Sequence, residues 1–275
     1  GLYHFIQFYK LDKDIGYFDK YDKRFVRVFI SGIGEMYVTN PDLLNTSDHW
    51  VYDLCEKGYD DIGLSPNLFE KIDNYTNSAC IKFYYSSADK KYYTKTDSKF
   101  KYPMIEHGNS RSDNTPMATI IEKCRNDSIT TEILGKCGSI EGTNDYLSKV
   151  IAIYFQFVDH QVNPSNFEQP IQTFINSISG GLSDVTYPVH NVNFNPLVVK
   201  SDIGFLVEHR VEDKSFIFDV NRKDGKNNGD DTQILAYISY WMQNNFIIYE
   251  RYYKRLMDIL PTIGGIAEVI YYALF

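Results

Sequence analysis

Four cysteines place the strongest constraint on how this chain folds. Cys55, Cys80, Cys124 and Cys137 are widely and irregularly spaced and form no C-x-x-C pair, which argues against a zinc ribbon. Two disulfides are the better interpretation. Of the three pairings that four cysteines permit, we favour Cys55 with Cys80 and Cys124 with Cys137, because neighbours in sequence close the smaller loops. The alternative is a cytosolic protein with buried free thiols.

Three N-x-S/T sequons indicate the same environment as the paired cysteines. They lie at Asn45, Asn74 and Asn126, among polar, turn-forming residues where a glycan would project into water. Together with the even cysteine count, they predict passage through an oxidising secretory compartment. We therefore expect the main domain to be extracellular or luminal, at the plasma membrane or in the secretory pathway.

Aromatic residues favour strands over helices along the whole chain. The sequence contains 23 Tyr and 18 Phe, whereas Ala is scarce. We predict a mainly β fold with a few short helices and antiparallel sheets. The net charge of −8 is spread without a basic stripe, so nucleic acid is not expected as a partner.

Local patterns give a coarse map of the elements. Strands are predicted at residues 2–9, 25–29, 81–85, 100–105, 117–121 and, as a central strand covered on both faces, 151–158. Thr143 is expected to cap a brief helix at 145–149. In the last third, strands at 205–211, 216–220 and 234–249 form a predicted antiparallel meander, with Glu212-Asp213-Lys214 as one turn. We expect one β-rich domain over residues 1–257, with a looser N-terminal lobe at 1–79.

The end of the chain has a different character. After the basic group Arg251, Lys254 and Arg255, residues 259–275 are nearly all apolar. Since about twenty apolar residues cross a bilayer, we predict that residues 258–275 are the start of a transmembrane helix in contact with membrane lipid. A buried core helix is the alternative, because the run is short and Glu268 is costly in lipid.

Three residues of this segment are candidates for assembly with other membrane subunits. Gly264 and Gly265 would allow a second helix to approach closely. In a membrane, the Glu268 carboxylate should face another helix, an aqueous path or a basic group of a partner. The alternative is that Glu268 is tolerated near an interface or belongs to a soluble helix.

Several short motifs, in order along the chain, resemble a large family of ciliate transmembrane proteins. They are CIKFYY at 80–85, FKYPMIEHG at 100–108, IIEKC at 120–124, DHQVN at 159–163, NFEQPI at 166–171, NFNP at 193–196, YERYYKR at 249–255 and IGG at 263–265. The resemblance runs from about Asp53 to the C-terminus, and residues before about Asn40 depart from it. It implies two membrane helices that flank a cysteine-containing domain outside the cytoplasm, and it implies no chemistry.

The sequence contains no motif of an active site or a metal centre. The six histidines lack paired metal spacing. Glu106-His107 and Asp159-His160 place an acid beside a histidine, but adjacent strand residues face opposite ways. The acidic loop at 224–231 breaks the calcium-loop pattern. We therefore predict no catalytic residue, no metal and no cofactor.

Three functional hypotheses follow from these patterns. The leading one is a membrane-anchored extracellular or luminal glycoprotein domain that acts in binding or in assembly of a homo- or hetero-oligomeric membrane complex. The alternative is a subunit of an oligomeric two-helix channel or transporter in which Glu268 lines the pathway. The third is a secreted hydrolase whose site is assembled from scattered residues, with His107 or His160 beside carboxylates.

Overall fold

The computed structural model describes residues 4–12, 15–33, 40–55, 75–104, 117–126, 130–166, 168–181, 186–204, 209–226, 234–252 and 256–274. The strands in these ranges are β1 (His4–Asp12), β2 (Ile15–Asp19), β3 (Val26–Ser31), β4 (His49–Leu54), β5 (Ala79–Ser86), β6 (Lys91–Thr94), β7 (Met117–Lys123), β8 (Val150–Val162), β9 (Ile171–Gly181), β10 (Thr186–Asp202), β11 (Arg210–Lys226), β12 (Ile234–Met242) and β13 (Ile247–Tyr252). The helices are α1 (Thr130–Leu134), α2 (Ile140–Lys149), α3 (Leu256–Leu274) and two 3-10 turns, Pro41–Thr46 and Tyr75–Asn77.

Strand pairing confirms the prediction of a mainly β fold with few short helices. Within the described ranges, the strand order is β11-β10-β12-β7-β3-β4-β5-β1-β8-β9, with β13 on β10, β2 on β1 and β6 on β5. Most neighbours are antiparallel, but β10 runs parallel to both β12 and β13. The chain divides into a larger unit (Gly1–Asp159, Phe174–Phe194, Phe218–Met242) and a smaller unit (His160–Thr173, Asn195–Ile217, Gln243–Phe275).

The larger unit has apolar side chains packed on both faces of its central strands. On β3, Val28 belongs to one buried cluster and Phe29 to the other, as expected where successive residues point to opposite faces. Tyr146 of α2 joins the first cluster, and Leu134 of α1 joins the second. Each of the two short helices therefore contributes a buried side chain to one of the two clusters.

A buried pair of opposite charges lies in this core. Arg27 on β3 is opposite Glu122 on β7, and both residues are fully buried. The Arg27 guanidinium donates a hydrogen bond from Nη2 to the carbonyl oxygen of Gly135 at 2.5 Å. Gly135 directly follows α1 and has a φ of 84°, a left-handed conformation that ends helices and favours glycine. Arg27 therefore ties the end of α1 to the sheet.

The smaller unit is built around the second half of β10, which pairs in parallel with β13. Leu197 and Val199 of β10 are fully buried. None of the described residues of this unit belongs to either of the two apolar clusters. It is therefore held by main-chain pairing and polar contacts more than by an apolar core.

Five local predictions were wrong. Residues 212–214 do not form a turn, because they lie inside β11, and the predicted strand at 234–249 is divided into β12 and β13. The last third is not a purely antiparallel meander, since β10 pairs in parallel with both of those strands. Residues 100–104 are irregular. Strand β8 alternates between buried and more exposed residues, so it is not covered on both faces.

Other predicted elements agree with the structure or differ from it by a few residues. The N-terminal strand and the strand at 117–121 correspond to β1 and β7. Helix α2 begins earlier than predicted, because Ser139 is its N-cap and its hydroxyl accepts from the N–H of Gly142. The predicted strand at 205–211 lies largely outside the described residues.

Candidate functional site

The first disulfide joins neighbouring antiparallel strands of the larger unit. Cys55 follows the end of β4 and is bonded to Cys80 on β5, with a Cα–Cα distance of 5.1 Å. Asp53 lies opposite Cys80 in the register. The N–H of Cys55 also donates to the carbonyl oxygen of Ser78 at 2.9 Å. This is the pairing that the spacing of the cysteines predicted.

The second disulfide closes the loop that contains α1. Cys124 and Cys137 are bonded with a Cα–Cα distance of 5.6 Å, again as predicted. The N–H of Cys124 donates to Phe25 O, and the N–H of Gly138 donates to Arg24 O, both at 2.9 Å. A Cβ atom at position 138 would lie 2.5 Å from the Phe25 ring, so glycine lets the loop pack against the residues just before β3.

Two of the three predicted glycan acceptors lie on the exposed surface. Asn45 is exposed in the turn Pro41–Thr46, and Asn126 is exposed after β7. The side-chain oxygen of Asn126 accepts the N–H of Cys137 at 2.9 Å. This hydrogen bond does not involve the side-chain nitrogen of Asn126, which is the atom to which a glycan is attached. Asn74 lies outside the described residues.

Helix α3 is exposed along its described side chains. Residues 259–269 and 271 are all exposed, so they do not form the buried core helix that was the alternative prediction. The large apolar side chains among them are Ile259, Leu260, Ile263, Ile266, Val269 and Tyr271. Across the described parts of the chain, no helix has the length and apolarity needed to cross a membrane. The predicted transmembrane helix at 258–275 is therefore not supported.

The three candidate assembly residues lie on the same helix. A Cβ atom added at Gly264 or Gly265 would meet no atom within 4 Å, and Glu268 is exposed. At about 100° per residue, the six large apolar side chains cover an arc of about 200°, and these three residues occupy the opposite side. Whether Glu268 lines a pore in an oligomer stays a prediction.

Arg251 on β13 fixes the loop between β8 and β9 within the smaller unit. Its Nε and Nη2 donate to Ser201 Oγ at 3.0 and 2.6 Å, and its Nη1 donates to the carbonyl oxygens of Asn163 and Asn166 at 3.3 and 2.8 Å. In the sequence, this arginine is recognisable only as part of the basic group that precedes the apolar C-terminal segment. Its contacts instead place it in a structural hydrogen-bond network.

Two of the described histidines, His49 and His190, are buried. His49 is buried between the carbonyl oxygen of Ser47 and the hydroxyl of Tyr92, and burial lowers its pKa to about 4. Burial, reinforced by the charge of Arg222, also lowers the pKa of His190 to about 4.

The two acid–histidine pairs give no assembled site. His160 contacts Thr173 through Nδ1 at 3.3 Å, while Asp159 accepts a hydrogen bond from Asn176 at 3.3 Å. His107 and Glu106 lie outside the described residues. Within the described ranges, no group of three histidine, cysteine or acidic side chains is arranged to hold a metal ion.

A cavity of about 800 Å³ opens in the larger unit, and sequence analysis did not find it. It is bounded by the end of β1, the end of β2, the turn that follows β2, the end of β4, the middle of β5, and Tyr146 of α2. Its lining residues are Lys10, Asp19, Lys20, Tyr21, Asp22, Lys23, Arg24, Asp53, Leu54, Cys55, Lys82, Phe83 and Tyr146. Only the run at 20–24 is visible in sequence as a charged cluster.

Each carboxylate of the cavity has a cation of the same cavity beside it. Lys10 Nζ lies 2.5 Å from an Asp19 oxygen, and Lys23 Nζ lies 2.6 Å from an Asp53 oxygen. Arg24 Nη2 lies 2.7 Å from an Asp22 oxygen. Burial alone raises the pKa of Asp22, but the hydrogen bonds and charge of Arg24 outweigh it, so this pKa lies below its ordinary value. Asp22 therefore stays ionised at neutral pH.

Comparison with known families places the chain in one of them. The family described as the N-terminal domain of an uncharacterised 80 kDa protein matches residues 55–243. The chain belongs to this family. No protein with a curated description matches it. The crystal structure of Erv41p is similar at 9% identity over 91% of this chain and 94% of that chain, with a TM-score of 0.34. That score is too low to establish a shared fold.

Proposed function

We propose that this chain is a non-enzymatic domain that folds in the secretory pathway, faces the lumen or the cell exterior, and is attached to a membrane through α3. There it binds other subunits of a membrane complex. The observation that carries the proposal is an exposed apolar helix in a chain that also has two disulfides.

The disulfides and the sequons support the compartment. Structural disulfides form in oxidising compartments and are rare in the cytosol. Among the residues that the structure describes, no cysteine is free. Asn45 and Asn126 are exposed, as an acceptor of a glycan must be. These features are the ones expected of a protein that has passed through the secretory pathway.

The distribution of exposed apolar side chains supports lipid as the surface that α3 contacts. A protein groove covers one stripe of a helix, whereas the six large apolar side chains of α3 that the structure describes as exposed extend over an arc of about 200°. Further exposed aromatic residues of the same unit, Phe246, Tyr249 and Tyr252, lie just before this helix. Tyr and Phe with one polar and one apolar side are typical of the boundary between water and lipid.

We propose that other subunits bind the side of α3 that lies opposite its apolar arc and contains Gly264, Gly265 and Glu268. Gly264 and Gly265 leave space for a second helix to approach. Glu268 lies on that side, where a basic group of a partner would neutralise it. The apolar arc then contacts lipid while the glycine side contacts protein.

Flotation with lipid vesicles tests the attachment. The purified disulfide-linked chain should float with vesicles of neutral and anionic lipid. Replacing Ile263 and Ile266, each 56% exposed, with Ser should leave it in the bottom fraction. The matched control replaces Ile15 and Ile140, which are exposed in the larger unit, and should still float. If the unchanged protein stays at the bottom, or if both double variants behave alike, the proposed attachment is wrong.

Glycan analysis tests the compartment. Secreted expression in a eukaryotic cell should give a product that loses mass on enzymatic removal of N-glycans. Asn126→Asp should remove one glycan and keep the side-chain oxygen that accepts the N–H of Cys137. Asn45→Gln should remove another. A product of unchanged mass with four titratable thiols would contradict the proposal.

A further inference from the structure

The larger unit contains a strand with only one neighbouring strand among the described residues. Strand β2 pairs with β1 and with no other described strand. We propose that its outer edge pairs with the same edge of a second copy of the chain, so that two β2 strands run antiparallel about a two-fold axis at Gly16. This contact does not depend on α3, and it gives the proposed membrane complex one defined partner, the chain itself.

The hydrogen bonds of β2 show which of its main-chain groups point outward. The carbonyl oxygen of Phe18 accepts a hydrogen bond from Asn77 Nδ2 at 3.4 Å, so this carbonyl points away from β1. In an antiparallel pair, alternate residues direct both their N–H and their C=O to the same side. The main-chain groups of Gly16 therefore also point to the outer edge, whereas those of Ile15 and Tyr17 point to β1. Gly16 can thus exchange two main-chain hydrogen bonds with Gly16 of a second copy.

The two faces of β2 are covered differently. On one face, the Phe18 ring lies 5.2 Å from the Tyr9 ring, measured between centroids. A Cβ atom at Gly16 would overlap the Tyr9 hydroxyl, so glycine lets that ring lie across the strand. On the other face, Ile15 is 70% exposed and Tyr17 is 41% exposed. Two large apolar side chains therefore stand in water beside the outer edge.

A two-fold axis at Gly16 matches these side chains to each other. In this register, Ile15 of each copy lies directly opposite Tyr17 of the other, as a non-hydrogen-bonded pair whose side chains approach most closely. Pairs of an aromatic and a β-branched residue are among those that stabilise neighbouring strands. An axis at Tyr17 would instead place Ile15 opposite the carboxylate of Asp19. The apolar match therefore favours the axis at Gly16.

The charges along this edge also permit two copies to approach. Residues 15–18 are uncharged, and Asp19 contacts Lys10 of its own chain. Strands that avoid such pairing commonly have exposed lysine at the edge. Among the described strands, β6 and β11 also pair on one side, and they contain exposed Lys91, Lys214 and Lys223. Strand β2 contains no lysine and no proline.

Sedimentation velocity over a series of concentrations tests the dimer. The disulfide-linked full chain is measured in a mild detergent that covers the exposed side chains of α3. Two five-residue strands form a small interface, so the dimer should form in the micromolar range. Ile15→Glu with Tyr17→Glu should raise the dissociation constant at least about tenfold, because like charges then lie directly opposite each other.

A matched control makes the same change in charge elsewhere. Ile140→Glu with Ile151→Glu alters two exposed positions of the same unit and should dimerise as the unchanged protein does. Equal weakening in both double variants would overturn the proposal. So would an unchanged protein that stays monomeric at every concentration.

Cross-linking shows whether the strands pair in this register. Opposite residues of a non-hydrogen-bonded pair have Cα atoms about 4.5 Å apart, within the range of about 4.4 to 6.8 Å that a disulfide spans. Differently tagged Ile15→Cys and Tyr17→Cys chains should therefore form a mixed covalent dimer on mild oxidation. Each variant alone should not, since the two copies of one residue are then more than about 7 Å apart. Equal cross-linking with and without mixing would contradict the register and overturn the proposal.

Two further variants separate folding and the helix from the strand contact. Ile15→Glu alone changes a residue that is 70% exposed, so it should fold and weaken the dimer severalfold even if the double variant does not fold. Ile263→Ser with Ile266→Ser should dimerise as before. Loss of the dimer in this variant would place the contact on α3 and overturn the proposal. A failure of vesicle flotation leaves the strand pairing untouched, and a monomeric chain leaves the proposed attachment untouched.

Discussion

The larger and smaller units are stabilised in different ways. The larger unit contains both disulfides, both apolar clusters and the buried Arg27–Glu122 pair. The smaller unit has the polar network of Arg251 and the parallel pairing of β10 with β13. Of the exposed large apolar side chains that the structure describes, most lie in this unit, including Phe246, Ile248 and those of α3.

Because of this difference, apolar side chains contribute to folding stability in the larger unit and are available for binding in the smaller unit. Apolar area removed from water stabilises a fold by roughly 25 cal/mol per Å², and the larger unit obtains that contribution within its own core. Apolar side chains that remain exposed to water can contribute the same free energy to binding, when a partner or a membrane covers them. Mutations in the larger unit should therefore change folding, whereas mutations on the exposed apolar side chains of the smaller unit should change binding.

The largest expected effect comes from truncating one aromatic side chain in each unit. Phe155 is fully buried, so Phe155→Ala should lower the free energy of unfolding by about 3 to 5 kcal/mol. Phe246 is 61% exposed, so Phe246→Ala should change it by less than about 0.5 kcal/mol. Urea denaturation followed by fluorescence measures both. Similar losses in the two variants would remove the distinction between the units.

Removing a disulfide should have the next largest effect. Cys55→Ala with Cys80→Ala opens a loop with a sequence separation of 25 and should cost about 3.5 kcal/mol. The pair Cys124 and Cys137 closes a shorter loop, with a separation of 13, and should cost about 3 kcal/mol. A loss below about 1 kcal/mol in urea denaturation would mean that the core alone holds the larger unit.

The pH dependence of unfolding should come mainly from the larger unit. Burial lowers the pKa of His49 to about 4 in the folded chain, from its ordinary value of 6.5. Between these values the unfolded chain binds a proton that the folded chain does not, so stability falls as the pH drops from 6.5 to 4, by about 3 kcal/mol in all.

Replacing this histidine separates its contribution from other titrations. Urea midpoints at several pH values should show a shallower slope in His49→Gln. His209→Gln, at an exposed position of the smaller unit, should keep the slope of the unchanged protein. If His49→Gln keeps that slope as well, the buried histidine is not its cause.

The smallest effect is expected for the polar network of the smaller unit. Arg251→Lys keeps the charge but loses the planar fork that reaches Ser201 and two carbonyl oxygens. Local opening near residues 163–166 should become easier by about 2 kcal/mol. Hydrogen exchange should show it there and leave β3 and β7 unchanged. Lys200→Ala, whose contact with Glu212 is 3.9 Å long and partly exposed, is the control and should have little effect.

Local chemistry explains which features could be predicted. The abundance of aromatic residues predicted strands, and the cysteine pairing followed from loop length, which depends only on spacing. The apolar C-terminal segment was recognised as a distinct element, and it forms α3. The helix that contains Asp145 was recognised, but its cap was misplaced because Ser139 and Thr143 both suit an N-cap by residue type.

The strand pairing and the cavity could be seen only in the tertiary structure, because pairing between distant strands cannot be inferred from a short segment of sequence. Periodicity could not show that β10 pairs in parallel with β12 and β13 or that Arg27 lies opposite Glu122. The cavity collects charged residues from positions 10 to 82, and they come together only once those segments meet. The sequence by itself determined strand content, disulfide pairing and the apolar C-terminal segment, since each depends on composition or spacing. The tertiary structure determined which side chains are buried, which are exposed and which share a site, since those depend on contacts between distant parts of the chain.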